Sequence, residues 1–204
     1  EGYETGPQTD LGGEVASLIC DITGVERVAF ANTGSEAVMA ALRIARTVTK
    51  KSRVIMFKGS YHGNFDCVLA ETAEDGTFPI SPGTMQGMVE DVLVLDYATE
   101  ESLRIIEELK DEVAAVIVEP VQSRNPSLQP KEYLIQLRAL TERIHAALIF
   151  DEMITGFRIA PGGVQEYFGI KADMATYGKI VGGGMPIGIV AGKAEYIDAV
   201  DGGQ

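Results

Sequence analysis

Cysteine is nearly missing from this sequence: Cys20 and Cys67 are the only two, each alone among apolar or small neighbours. A disulfide framework is excluded, and because the two histidines, His62 and His145, lie far apart, so is a Cys/His zinc site. No metal is expected. Bases are few as well: Lys and Arg number 17 against 30 Asp and Glu, a formal charge of −13 that repels nucleic-acid phosphates and anionic lipid. Neither a nucleic-acid nor a membrane partner is expected. Long hydrophobic runs are absent too. Residues 114–118 and 146–150 are strand-sized and far short of the roughly eighteen apolar residues of a membrane-spanning helix. The opening Glu1-Gly2-Tyr3-Glu4-Thr5-Gly6-Pro7 has neither the basic nor the apolar part of a signal peptide, so a cytoplasmic location is expected.

What is present is the material of an ordinary globule: 204 residues, 46% apolar and 23% charged. At this size folding buries roughly 70% of the unfolded surface, enough for a core without covalent staples. Short β-rich apolar runs alternate with helical periods, which predicts a three-layer α/β/α sandwich with a mostly parallel sheet. Residues 27–31, 53–57, 92–95, 114–118, 147–150, 174–177 and 187–191 read as strands. Helices are predicted over 35–49, over 99–110 with Leu103, Ile106 and Leu109 on one stripe, and from Pro130 through Tyr133, Leu134, Leu137, Leu140 and Ile144. Residues 72–90, rich in Gly and Pro, read as a long loop. No internal repeat or composition break marks a second domain.

In an open parallel sheet, ligands sit outside the carboxyl ends of the strands, where helix N-termini also point. The unusual polar residues fall at that edge. Asn32-Thr33-Gly34-Ser35-Glu36-Ala37 follows the first strand and opens a helix, while Glu119, Asp151 and Lys179 each follow an apolar strand. Free N–H groups, a hydroxyl and a helix dipole at Gly34-Ser35 suit a phosphate. The plain alternative is an N-cap by Thr33 or Ser35. No nucleotide motif competes: residues 182–188 do not spell G-x-G-x-x-G, and Gly178-Lys179 lacks the upstream glycine and the following hydroxyl of a P-loop. Asp151 ends an apolar strand and needs a cationic or donor partner, though a capping or ion-paired aspartate reads the same way. Lys179 stands between a strand end and the flexible Gly182-Gly183-Gly184; with its pKa lowered by burial it can form a Schiff base with a carbonyl. Together these groups fit a phosphorylated aldehyde cofactor with a basic ring nitrogen, which describes pyridoxal phosphate.

Here a family resemblance enters. The ordered motifs Asn32-Thr33-Gly34-Ser35-Glu36-Ala37, Tyr61-His62-Gly63, Glu119-Pro120-Val121-Gln122, Asp151-Glu152-Met153-Ile154-Thr155-Gly156-Phe157-Arg158 and Tyr177-Gly178-Lys179 resemble those of class III, fold type I, pyridoxal-phosphate-dependent aminotransferases. The likeness spans residues 33–188 and implies a fold type I large domain. It implies Lys179 as the Schiff-base lysine and Asp151 as partner of the protonated ring nitrogen, these two being catalytic. Gly34 and Ser35 would hold the phosphate, Tyr61 would stack on the ring and Gln122 would lie near the ring hydroxyl. His62 and Glu119 would support them, and Met153 replaces the small branched residue that usually backs the second ring face.

Two subfamilies resemble the chain more closely. Residues 155–158 and 179–188 are similar to glutamate-1-semialdehyde aminomutases. Residues 121–130 and 157–163 look more like the amination domains of hybrid polyketide/nonribosomal peptide synthetases. The second likeness is the favoured one and implies an amino-acid donor and a β-ketoacyl acceptor held as a carrier-protein thioester; the first, the alternative, implies an aminomutase. A third possibility from another class is a non-catalytic interaction module in which Asp151 and Lys179 form an ion pair. The chain lacks an initiating Met and ends Asp201-Gly202-Gly203-Gln204, so residues 1–204 are expected to be the central, cofactor-binding part of a longer enzyme whose activity needs the rest. A homodimer is implied, since the family brings a Ser/Thr to the phosphate from the partner subunit.

Overall fold

The computed structural model describes residues 10–200; the terminal stretches read above, residues 1–9 and 201–204, lie outside it. In chain order the elements begin α1 (Asp10–Thr23), β1 (Arg27–Ala31), α2 (Gly34–Thr49), β2 (Arg53–Phe57), β3 (Ala70–Ala73), β4 (Gly76–Pro79) and β5 (Val92–Leu95). They continue α3 (Glu100–Glu108), β6 (Val113–Val118), α4 (Lys131–Arg143), β7 (Ala147–Asp151), α5 (Gly163–Phe168), β8 (Met174–Gly178), β9 (Gly188–Gly192) and α6 (Ala194–Ile197).

Seven strands form one sheet in the order β1-β9-β8-β7-β6-β2-β5. β5, β2, β6, β7 and β8 are mutually parallel. β9 runs against both β8 and β1, so it alone is reversed. Strands buried on both faces read as unbroken apolar runs, which is why VAAVIV and ALIFD were legible as strands. Alternate residues feed two cores. Val116, Val118, Leu148 and Phe150 pack with Leu134 and Leu137 of α4, Ile106 of α3 and Val164 of α5. Ala115, Ile117, Ala147 and Ile149 face the other way, onto Ala37, Val38, Ala41 and Leu42 of α2. The result is the three-layer α/β/α sandwich that the alternation of strands and helices predicted. Among the described residues no helix is long and apolar enough to cross a membrane.

The loop expected over 72–90 is partly built. β3 and β4 pair as a hairpin around Glu74 and Asp75, with Gly76 at φ +113° where a side chain would be strained. Its threonines tie it to the edge of the main sheet: the Thr77 hydroxyl donates to Val92 O at 2.6 Å, and Val94 N–H donates to Thr72 Oγ1 at 2.9 Å. Side-chain hydroxyls thus occupy part of an edge that would otherwise invite another strand. The strands are only four residues each, and β4 carries both Gly and Pro, so no alternation announced them. Helices α1 and α5 were also missed. Gly12-Gly13 weakens the helical signal of the first, and the second has only six residues.

β9 approaches the N-terminus of α2 so closely that only glycine fits. A Cβ on Gly188 would lie 2.0 Å from Thr33 O, a backbone atom that cannot swing aside. Gly188→Ala should therefore lower unfolding stability by about 1–3 kcal/mol in denaturant melts. Gly13→Ala, in α1 with nothing within 4 Å of the added carbon, should stabilise by up to about 1 kcal/mol. Equal stabilities for the two variants would refute the close approach.

Candidate active site

The ends of β1, β6, β7 and β8 come to one edge of the sheet, because β9, reversed between β1 and β8, leaves those two pointing the same way. There a cavity of about 400 Å³ is lined by Lys179, Asp151, Gly34, Ser35, Tyr61, His62, Glu119 and Met153. Eight of the nine residues expected at a site thus meet around one space. Gln122 does not line it: it is buried, and its Nε2 donates to Lys58 O at 2.8 Å.

Asp151 closes β7 and is 3% exposed. Its Oδ2 lies 2.7 Å from His62 Nδ1, and Oδ1 accepts from Met153 N–H at 3.1 Å and faces the Thr176 hydroxyl at 3.4 Å. The donor its burial demanded is therefore His62. The Asp151–Lys179 ion pair of the non-catalytic alternative is not formed; Lys179 has no carboxylate partner among the described residues. His62 is itself 4% exposed, and its Nε2 is buried without a partner among those residues.

Lys179 differs from expectation in one respect. It is exposed, so burial does not desolvate its amine as the sequence suggested. Its backbone is the unusual part: φ is +51°, the left-handed region that a lysine rarely adopts. Such strain persists where surrounding structure enforces it and clusters at functional sites. Here Gly178 before it and Gly182-Gly183-Gly184 beyond it give the chain its freedom.

At the start of α2 both readings of the sequence hold together. The Thr33 hydroxyl accepts from Glu36 N–H at 3.1 Å, and the Glu36 carboxylate accepts from Thr33 N–H at 2.9 Å, a complete capping box. That cap leaves the N–H groups of Gly34 and Ser35 without intrahelical partners, and the Ser35 hydroxyl accepts from Asn64 N–H at 3.0 Å. The thioether of Met153 fills the space over Gly34 and Gly178; a Cβ at either would lie 2.7 Å from its sulfur. Glu119, also buried, takes Tyr61 N–H at 2.7 Å and Ser123 N–H at 2.8 Å, so one carboxylate fixes two loops. Tyr61 lines the cavity and remains 51% exposed.

Glu152 secures the segment after Asp151. Its carboxylate accepts from the Thr155 hydroxyl at 2.7 Å, Val164 N–H at 2.9 Å and Gln165 N–H at 3.2 Å. Burial raises its pKa in spite of those donors. Sequence reasoning assigned no role to Val38, Ser123, Arg124 or Ile154, which also line the cavity. Ser123 and Arg124 had a usable signal, since they follow Glu119 within one turn at the same sheet edge.

Known proteins bear on this geometry. The family profile "Aminotransferase class-III" matches residues 4–204. A glutamate-1-semialdehyde 2,1-aminomutase of Acetivibrio thermocellus is 43% identical over 98% of this chain and 48% of its own. The crystal structure of an omega-transaminase from Sphaerobacter thermophilus superposes with a TM-score of 0.88 at 34% identity, covering 96% of this chain and 47% of that one. A structure described as a transaminase with PLP bound gives 0.90 at 31% identity, over 100% of this chain and 49% of that one. The chain thus spans about half the length of the curated relatives it matches.

Two outcomes test the geometry. His62→Phe leaves Asp151 buried without its main partner. Losing one member of a buried pair costs about 3–5 kcal/mol, and the remaining Met153 and Thr176 contacts place this loss at the low end, read by urea unfolding. A loss no larger than that of an exposed substitution would remove the pair from the account. For Glu152 the sign follows from its raised pKa: the protonated form is the one the fold favours, so its contribution fades as pH rises from about 4.5 through the folded value. The stability gap between parent and Glu152→Gln should therefore move in the variant's favour toward neutral pH. A gap independent of pH would contradict the effect of burial.

Proposed function

The chain belongs to the class III aminotransferases, and on that footing we propose that it is the cofactor-holding, central part of a longer pyridoxal-phosphate enzyme that moves an amino group in the manner of a glutamate-1-semialdehyde aminomutase. One observation carries the reading. A lysine on a strained backbone with no carboxylate partner among the described residues, a buried and partnered carboxylate and an open helix N-terminus share a single cavity of about 400 Å³. Its size is within the range of about 300–1,000 Å³ typical of small-molecule pockets.

These residues fit the cofactor chemically. Among the described residues the Lys179 amine has no competing carboxylate, the N–H groups of Gly34 and Ser35 have no helical partner, and His62 Nε2 has no hydrogen-bond partner. Bound pyridoxal phosphate supplies an electrophilic aldehyde and an electron-accepting ring that acidifies a substrate C–H. Gly34, Ser35 and the dipole of α2 would hold its phosphate. Tyr61 and Met153, both in the cavity lining, would pack against its ring. Asp151, kept in place by His62 and Met153 N–H, would stabilise a protonated ring nitrogen through a charge-assisted hydrogen bond of about 1.5–3 kcal/mol. Lys179 would hold the aldehyde carbon and carry a proton at Nζ. Glu119 positions Tyr61 through its backbone.

The 43% identity to an aminomutase supports an intramolecular rearrangement. The likeness of the fold to an omega-transaminase favours a second reading on the same pocket, transfer from an amino-acid donor to a free keto acceptor. The carrier-bound β-ketoacyl acceptor suggested by residues 121–130 gains no support from these relatives and is not part of the proposal. A homodimer belongs to it, as the arrangement in which a partner subunit completes the phosphate site.

The decisive experiment is chemical trapping. The protein incubated with pyridoxal phosphate and then with borohydride should carry a pyridoxyl label on Lys179, found by peptide mass spectrometry. Lys179→Ala should lose that label and the cofactor's visible absorbance while unfolding within about 1 kcal/mol of the parent, as expected of an exposed side chain. A label on another lysine, or an unchanged spectrum, overturns the assignment. Supplying glutamate-1-semialdehyde in one arm and amino-donor/keto-acid pairs in another separates aminomutase from transaminase.

A further inference from the structure

We propose that the ends of α3 and α4 form a site for a monovalent cation of potassium size, in which the Lys51 ammonium is the resident cation, so that shortening Lys51 gives the site to a free ion. The site lies outside the cavity described above and does not depend on the amino-transfer reading. Lys51 Nζ donates to Lys110 O at 2.7 Å, to Ile144 O at 2.7 Å and to His145 O at 3.4 Å. Its protons thus go to carbonyl oxygens from two chain segments, and among the described residues it forms no ion pair. Burial pushes its pKa down, and the charge of Asp111 opposes that shift.

The chemistry of the site is that of helix ends. A helix leaves its last carbonyls without N–H partners and carries the negative end of its dipole there, and both favour a cation. α3 stops at Glu108 and α4 at Arg143, so Lys110 follows the first and Ile144 and His145 follow the second. Among the described residues no backbone N–H donates to any of these three oxygens, and Lys51 is the donor they have. A single lysine capping one helix would be ordinary. Here one ammonium serves the ends of two.

The oxygens keep their places without the lysine. After α3, Glu112 N–H and Val113 N–H donate to Leu109 O at 2.8 and 3.1 Å. After α4, Ile144 N–H donates to Leu140 O at 3.0 Å, His145 N–H to Glu142 O at 3.2 Å and Ala146 N–H to Thr141 O at 2.9 Å. The three residues that supply the carbonyls also line a surface depression of about 330 Å³, so an ion from solvent has a way in and water can complete its shell. The charged rim of that depression is balanced, Glu107 and Asp111 against Lys110 and Arg143, which leaves the attraction to the carbonyls. Potassium and ammonium ions are close in size, and fixed carbonyl oxygens can replace the water of such an ion. Sodium and lithium are smaller and hold their water more strongly, so oxygens spaced for an ammonium suit them less.

The test is urea unfolding of the full chain in chloride salts at constant ionic strength, with choline replaced stepwise by potassium, ammonium, sodium or lithium. The parent should not distinguish among them. Lys51→Ala should be less stable than the parent in choline and should recover with potassium or ammonium, its unfolding constant falling about tenfold by about 100 mM for a site half-filled near about 10 mM. Sodium should do less and lithium least. Lys51→Met, which keeps an apolar stem in the opening without its charge, should lose stability and show no such recovery. Equilibrium dialysis with thallium(I), an ion of potassium size, should find one more bound ion on Lys51→Ala than on the parent. A Lys51→Ala chain stabilised alike by every salt, or by none, overturns the proposal and leaves Lys51 a helix-capping side chain alone. Should that variant be unfolded in choline, return of its near-ultraviolet circular dichroism on adding potassium supports the site, and a chain that stays unfolded in every salt overturns it. None of these readings involves the cofactor, so their failure leaves the amino-transfer reading standing.

Discussion

A carboxylate that water cannot reach must find its donors within the protein, and at the carboxyl edge of this sheet three of them do so side by side. Asp151 draws in His62 and the backbone of Met153. Glu119 draws in the backbones of Tyr61 and Ser123. Glu152 draws in Thr155 and the start of α5. An unsatisfied buried carboxylate would cost several kcal/mol, so each of these contacts is a constraint on where its loop can lie. The loops after β2, β6 and β7 are thereby fixed relative to one another, although they are distant in sequence. The cavity is the space those constraints leave.

The same economy of partners explains which charges stay free. Donors that satisfy the acids are mostly backbone N–H groups and one imidazole, so the cations at the edge are not consumed by the anions beside them. Among the described residues Lys179 and Arg124 hold no carboxylate, and the N–H groups of Gly34 and Ser35 have no intrahelical partner because the capping box is completed by Thr33 and Glu36 instead. A site that satisfied its own lysine with Asp151 would have the same composition and no chemistry. Glycine supplies the complementary freedom. Gly34 and Gly178 leave room for the Met153 thioether, and Gly188 lets β9 come against the carbonyl of Thr33. Local backbone approach of this kind is what brings the end of β8 within reach of the start of α2.

Most of the layered fold was legible from the residues themselves. Strands buried on both faces have no choice but to be apolar throughout, and the helices between them show one stripe, so residues 53–57 and 92–95 match β2 and β5 to the residue. Polar groups directly after apolar strands marked Glu119, Asp151 and Lys179, because a parallel sheet sends such ends to one edge. The hairpin of β3 and β4 escaped notice, since its own threonine hydroxyls tie it to the backbone of β5 and no alternating pattern marks it. The reversal of β9 was equally invisible: nothing in GIVAG records the direction in which it runs.

By itself, then, the sequence determined the order of the elements, the edge on which the polar residues gather and the chemical types available there, because burial and periodicity act on each segment locally. Only the tertiary structure decided who partners whom. It gave Asp151 to His62 across 89 positions of chain, turned Gln122 away from the cavity onto Lys58, left Lys179 exposed on a strained backbone and placed Arg124 in the cavity lining. Pairing of that kind depends on distances between groups far apart in the chain, and those distances exist only once the sheet has brought its strand ends together.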